Sequence, residues 1–271
     1  GADHPVLVSS AGQYGTLLTR ISLDYDVKAR KLVSKTAENL VVTQDGDIAA
    51  QQPEIAALVA RYQAAGASVI NRVVGRLAGP LTNAKDASGQ SLAGNYIADA
   101  QFAAMAAPDK GGAQFALMNA GGVRAAITPA TDGSVRFGDL YTAQPFGNMV
   151  MVKELKGADV KAAIEQQFTR SNPPMLTMVS RGFSYAYDKS KPEGQRVFDL
   201  RLNGQPFDES ATYRVAMNNF MAQGGDGNAA FANAPLIAEG PVDVDALEAY
   251  VTSHSGEPLP ALDRIRNVTP Q

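Results

Sequence analysis

Cysteine is absent from this chain of 271 residues, which excludes disulfides, thiolate metal sites and a cysteine nucleophile. The compartment stays open, because extracytoplasmic proteins also do without disulfides. Histidine occurs only as His4 and His254, too few for a multi-histidine metal cluster, and the Pro- and Ser-flanked settings of both read as solvated surface. No apolar run approaches the roughly 20 residues that span a bilayer, and Gly1-Ala2-Asp3-His4-Pro5 has neither the basic region nor the apolar stretch of a secretory leader. Lysine and arginine form no block and the net charge is -3, so the electrostatic footprint of a partner to nucleic acid polymers is missing. What is present suits a folded chain: 45% hydrophobic and 19% charged residues lie far from the composition of disorder. The length fits one large domain or two ordinary ones.

Periodicity sets the organisation. Pro5-Val6-Leu7-Val8 and the alternation through Leu18, Arg20, Ile21, Leu23 and Tyr25, with Gly12 and Gly15 between, predict strand, turn, strand. Asp26 to Lys31 reads as a polar turn before a strand over 32–36, and these hairpins carry no full core of their own. From Gln51 the period turns helical, with Pro53 in the first turn, Ile55, Leu58, Val59 and Tyr62 at helical spacing, and Gly66 as the stop. A strand over 69–77 opens the main domain, followed by a helix over 95–107 and a short buried strand over 115–118. Beyond it the pattern predicts a strand over 149–155, a helix over 158–168 and strands over 183–187, 197–202 and 213–217, with Asn203-Gly204 as a hairpin turn. A helix over 244–251 capped by Asp243 and a strand over 264–268 close the chain. The fold class is mixed α/β. Terminal strands fill residues 1–50, a helical linker 51–68 and the main domain 69–271.

Three loops concentrate the residue types of ligand sites. Asn119-Ala120-Gly121-Gly122-Val123-Arg124 joins a strand end to a glycine pair and an arginine, read either as a plain turn or as a backbone that a phosphate approaches, with a guanidinium to fork it. Gln144-Pro145-Phe146-Gly147-Asn148 sets an aromatic in a turn, either packed on the nearest core or presented to a ligand. Asn218-Asn219-Phe220-Met221-Ala222-Gln223-Gly224-Gly225-Asp226-Gly227 carries a second aromatic and a carboxylate among glycines, which either caps a turn or accepts from a sugar diol.

Taken in order, NAGGVRAAI (119–127), QPFGN (144–148) and NNFMAQGGDG (218–227), with GQSLAGNYIADA (89–100) upstream, resemble the C-terminal domain of the 5'-nucleotidase family over about residues 69–268. PVLVSSAGQYGTLLTRISLDYD (5–26) is similar to the closing strands of that family's N-terminal metallophosphatase domain. The resemblance implies a layered α/β/β/α domain with mixed sheets and outer helices. It further implies a nucleobase stacked between Phe146 and Phe220, ribose hydroxyls on Asp226 and polar edges met by Asn119 and Asn148. Gly121 and Gly122 would leave room, and Arg124 would hold phosphate as the catalytic residue of this chain.

The same resemblance implies that a pair of divalent metals, which generates the attacking hydroxide, belongs to an N-terminal metallophosphatase domain of the same polypeptide. The Asp-x-His, Gly-Asn-His-Glu and Gly-His-x-His ligand runs are absent from this sequence, and no cofactor is expected in it. The expected function is substrate binding within a hydrolase that converts a nucleoside monophosphate to nucleoside and phosphate, inactive as this chain alone, with a periplasmic or secreted location. Two departures stand out: Ala120 replaces a usual glycine, and residues 83–94, where relatives carry one or two arginines, offer only Lys85. UDP-sugar or 2',3'-cyclic nucleotide hydrolysis, and a non-catalytic nucleoside or nucleotide module, remain alternatives.

Overall fold

The computed structural model describes residues 6–12, 15–43, 50, 52–170 and 174–270. The chain divides into two compact units, Gly1–Ala65 and Gly66–Gln271. His4, Pro5 and Gln51, which enter the sequence expectations, lie outside the described residues.

In the first unit, β1 (Leu17–Asp26) and β2 (Lys31–Val41) form one antiparallel hairpin, Leu17 opposite Val41 and Asp26 opposite Lys31, with a bulge at Asp24/Tyr25. Asp26 makes the turn by accepting the backbone N–H groups of Lys28 and Ala29 at 2.8 Å each. No residue of the hairpin is buried, and Leu18, Ile21, Leu23, Tyr25 and Val33 are exposed. Residues 6–8 form no strand, since nothing among the described residues pairs with them. Helix α1 (Pro53–Ile70) begins where proline suits the first turn but does not stop at Gly66. Val69 and Ile70 are its last turn, and the strand predicted over 69–77 shrinks to β3 (Val73–Arg76).

The second unit holds the core. A five-stranded sheet has the order β12 (Leu236–Val242), β6 (Met149–Lys156), β11 (Thr212–Asn218), β4 (Phe115–Met118), β7 (Met178–Val179). Only the β11–β4 pairing is parallel, with Val215 opposite Phe115. A four-stranded sheet runs β10 (Gln205–Pro206), β9 (Val197–Leu202), β8 (Phe183–Tyr187), β13 (Ile265–Asn267), and β3 pairs with β5 (Ser134–Arg136). Phe115-Ala116-Leu117-Met118 is buried throughout, as a continuous apolar run requires of a strand covered on both faces. Phe115 stacks on Phe183 at 4.4 Å, Phe207 meets Phe183 edge-on at 5.3 Å, and Phe207 stacks on Tyr213 at 4.3 Å, which sets one aromatic cluster at the centre.

Helix α2 (Leu92–Met105) starts earlier than its alanines suggest, because Ser91 caps it by accepting the N–H of Gly94. It packs on β4, β7 and β11. Asp99 on its buried face is held by Arg264 at the start of the last strand, in two bonds of 2.8 and 2.7 Å. Helices α3 (Phe137–Ala143) and α4 (Gly157–Arg170), two short helices α5 (Asn219–Ala222) and α6 (Ala229–Asn233), and α7 (Asp243–Ser253) complete the mixed α/β unit.

Candidate functional site

The sheet order brings the three loops together. Parallel β4 and β11 end on the same side of the sheet, and β6, antiparallel to β11 with Val150 opposite Asn218, begins there. The loop after β4, the loop before β6 and the loop after β11 therefore surround one sheet end, the place where open α/β sheets bind ligands. A cleft of about 190 Å³ opens between them, lined by Asn119, Gly121, Gly122, Phe146, Asn148, Phe220 and Asp226.

Both phenylalanines face outward. Phe146 is 53% exposed and Phe220 44% exposed, which removes the reading that either simply packs on the nearest core. The Phe220 ring lies over the backbone of Gly225: a Cβ there would stand 2.6 Å from ring atoms Cδ1 and Cε1, so only glycine lets the ring rest in this position. The Phe146 ring is bordered by Arg124, whose guanidinium lies 5.7 Å from the ring centroid. Arg124 is at the rim rather than in the lining; its Nη1 donates to the Gly121 carbonyl at 3.3 Å.

The floor is polar and ordered. Asn218, buried at the end of β11, accepts the N–H of Met221 at 2.9 Å and so caps α5. Its amide donates to Asn119 Oδ1 at 2.9 Å, which fixes the Asn119 carboxamide with its nitrogen left as a donor. Gly122 sits so close to that amide that a Cβ would come within 2.8 Å of Asn119 Oδ1; its glycine serves packing. Gly121 has room for a methyl group at ordinary contact distances.

Asn148 donates to Asp243 Oδ2 at 3.3 Å, and Asp243 N–H donates to the Asn148 carbonyl at 2.7 Å. Asp243 is the first residue of α7 rather than its cap, because Val242 still carries extended backbone and Asp243 turns its carboxylate to Asn148 and its neighbour's N–H. At 1% exposure, burial pushes its pKa up to about 6 against the bonds it accepts.

Asp226 has left-handed backbone, φ 61°, and pairs with Arg170 of α4 at 3.3 Å. Gln166, one turn earlier, donates to the Gly227 carbonyl at 3.1 Å, so the end of α4 holds this loop from outside. Asn218, Asp243, Gln166 and Arg170 are not among the site residues expected from the sequence. Lys85 donates to Asn83 Oδ1 and Ser91 Oγ at 3.4 and 3.1 Å. His254 is not the freely solvated residue expected: its ring stacks on Tyr250 at 3.9 Å.

Among the described residues no group of three or more His, Cys, Asp or Glu side chains is placed to hold a metal ion, so these residues do not fit a divalent metal pair. Among the same residues no helix is long and apolar enough to cross a membrane.

A family model described as the 5'-nucleotidase C-terminal domain matches residues 73–233. Endonuclease YhcR of Bacillus subtilis is 31% identical over 93% of this chain and 20% of its own length. The trifunctional nucleotide phosphoesterase protein YfkN of the same organism is 30% identical over 86% of this chain and 16% of its own. A crystal structure of a 5'-nucleotidase precursor from Thermus thermophilus superimposes with a TM-score of 0.71 at 27% identity, covering 95% of this chain and 51% of that one. The chain thus spans a minor part of those two relatives and about half of the solved structure.

Proposed function

Because the chain belongs to the family of 5'-nucleotidase C-terminal domains, we propose that it is the substrate-recognition part of a phosphoester hydrolase acting on nucleoside monophosphates. One observation carries the reading: two exposed phenylalanines, Phe146 and Phe220, line a single cleft with Asp226. A base stacks between the two rings, an arrangement that recognises any flat π-face. Asp226 accepts from the ribose hydroxyls, beside Arg170. Asn119 and Asn148 meet polar edges of the base or ribose, each held in place by a neighbour, Asn218 and Asp243. Arg124 at the rim receives the phosphate, leaving its weak bond to Gly121. The metal pair is assigned to a metallophosphatase domain of the same polypeptide, with the hairpin β1–β2 as part of that domain's sheet and the stretch 51–68 as the hinge between the two. The chain by itself binds without turnover, and the whole protein works in the periplasm or outside the cell.

Calorimetry with adenosine, AMP and a 2',3'-cyclic nucleotide tests this. Adenosine binds the chain, and Phe146→Ala or Phe220→Ala each weakens binding by about 1–3 kcal/mol. Arg124→Gln lowers affinity for AMP while leaving adenosine unchanged. No adenosine binding, or no effect of either phenylalanine, overturns the stacking site; equal affinities for adenosine and AMP remove Arg124 as the phosphate group's partner. One observation favours the cyclic-nucleotide reading: the 83–94 loop offers only Lys85, whose ammonium is already engaged by Asn83 and Ser91, so a phosphate placed differently from that of AMP meets less loss.

A further inference from the structure

A second cleft in the Gly66–Gln271 unit, also of about 190 Å³, shares no residue with the first. Its floor is the Asp99–Arg264 pair. Arg264 also donates to the carbonyls of Asn95 and Val179 at 3.2 and 2.8 Å, and Asp99 Oδ1 accepts the Arg181 N–H at 2.6 Å. Both floor charges are therefore matched, and they ask nothing of a ligand.

The walls are aromatic and fixed. Tyr96 meets Tyr250 edge-on at 5.0 Å, and His254 covers Tyr250 at 3.9 Å with its Nδ1 3.0 Å from the Tyr250 carbonyl. Tyr96 is only 5% exposed, and its hydroxyl is buried in the wall, with no hydrogen-bond partner among the described residues.

The rim carries two further charges of opposite sign, the Arg181 guanidinium and the Glu257 carboxylate. Among the described residues neither forms an ion pair, with the other or with anything else. The Tyr250 hydroxyl senses both: burial raises its pKa, Asp99 and Glu257 add to the rise, and Arg181 and Arg264 oppose it. A ligand with both a carboxylate and an ammonium meets both rim charges, whereas one with a single charge meets only one. The volume suits a molecule of few heavy atoms, since a cavity of about 150 Å³ holds benzene.

We propose that this cleft binds a small zwitterion, a free α-amino acid whose carboxylate meets Arg181 and whose ammonium meets Glu257, between the Tyr96, Tyr250 and His254 rings. The site is independent of the nucleotide reading.

Calorimetry on the full chain with L-alanine, N-acetyl-L-alanine and L-alaninamide tests it. L-alanine binds in the millimolar range or tighter, and removing either charge weakens binding by about tenfold or more. In Arg181→Gln, L-alanine and L-alaninamide bind alike. In Glu257→Gln, L-alanine and N-acetyl-L-alanine bind alike. Both variants change exposed side chains, and an unchanged melting temperature provides the folding control. Absence of L-alanine binding in the millimolar range, equal binding of the three compounds, or displacement of L-alanine by adenosine each overturns the proposal.

Discussion

The core of the second unit and the mouth of its first cleft use the same residue types to opposite ends. Phe115, Phe183 and Phe207 pack ring on ring beneath the sheet, and Phe115 and Phe183 are almost fully buried. Phe146 and Phe220 stand about half exposed at the sheet end, one beside Arg124 and the other laid over Gly225. The carboxylates divide likewise: Asp243 is buried under Asn148, while Asp226 lies at the surface beside a guanidinium. What separates the two sets is the backbone that carries them. The buried set sits on or against regular elements, Phe115 and Phe183 in strands, Phe207 just past β10 and Asp243 at the start of α7, whereas glycine-framed turns past the strand end hold the other set out.

The most forceful way to break the comparison is truncation of one ring from each set. Phe115→Ala should cost about 3–5 kcal/mol of unfolding free energy in denaturant titration, and Phe146→Ala no more than about 0.5 kcal/mol. Equal losses would mean that the exposed ring also supports the fold.

The carboxylates allow a finer test. Burial holds the Asp243 pKa at about 6, above the ordinary aspartate value of 3.8, so the folded state binds the proton more tightly than the unfolded one. The stability this confers is complete below about pH 4 and is lost as pH rises through about 6. Relative to Asp243→Asn, the native chain should lose on the order of 2–3 kcal/mol between those limits, read as melting temperature against pH. Parallel profiles for the two chains would show that Asp243 is not strained by its burial. The smallest effect belongs to the surface pair: Arg170→Ala should change stability by about 1 kcal/mol or less, since both groups remain partly solvated. A larger loss in chemical denaturation would promote the Asp226 loop from rim to fold.

Much of the fold is legible in the sequence where one signal dominates. Phe115 to Met118, Phe183 to Tyr187 and Val197 to Leu202 are readable within their observed bounds because apolar runs between turn residues leave little choice. Val69 and Ile70 mislead because β-branched residues closing a helix look like the start of a strand. Strand β12 escapes the pattern: Gly240 and Pro241 interrupt it, Leu236 and Ile237 stay exposed at the sheet edge, and Gly240 is required where the backbone presses on Met105. Helix α3 escapes it too, since Arg136 precedes it in place of a usual cap and Asp139 reaches back to the Arg136 N–H.

At the site, the loops themselves can be read because glycine and aromatic residues crowd into short turns. Their supports cannot. Asp243 reaches Asn148 only through the pairing of β12 with β6, and Arg170 reaches Asp226 only because α4 ends beside the loop. No local pattern encodes either meeting. Asn218 is visible inside its motif, yet its part in orienting Asn119 depends on β11 lying next to β4.

The clasp between Arg264 and Asp99 bears on how the far end of the sequence is handled. Gln90 ties down the same stretch, accepting from the Arg264 N–H at 3.1 Å and donating to the Ile265 carbonyl at 2.9 Å. Deleting the residues from Arg264 onward would strip a buried carboxylate of its counter-ion, a defect that costs about 3–5 kcal/mol. Tags and fusions therefore belong after this segment, never in place of it.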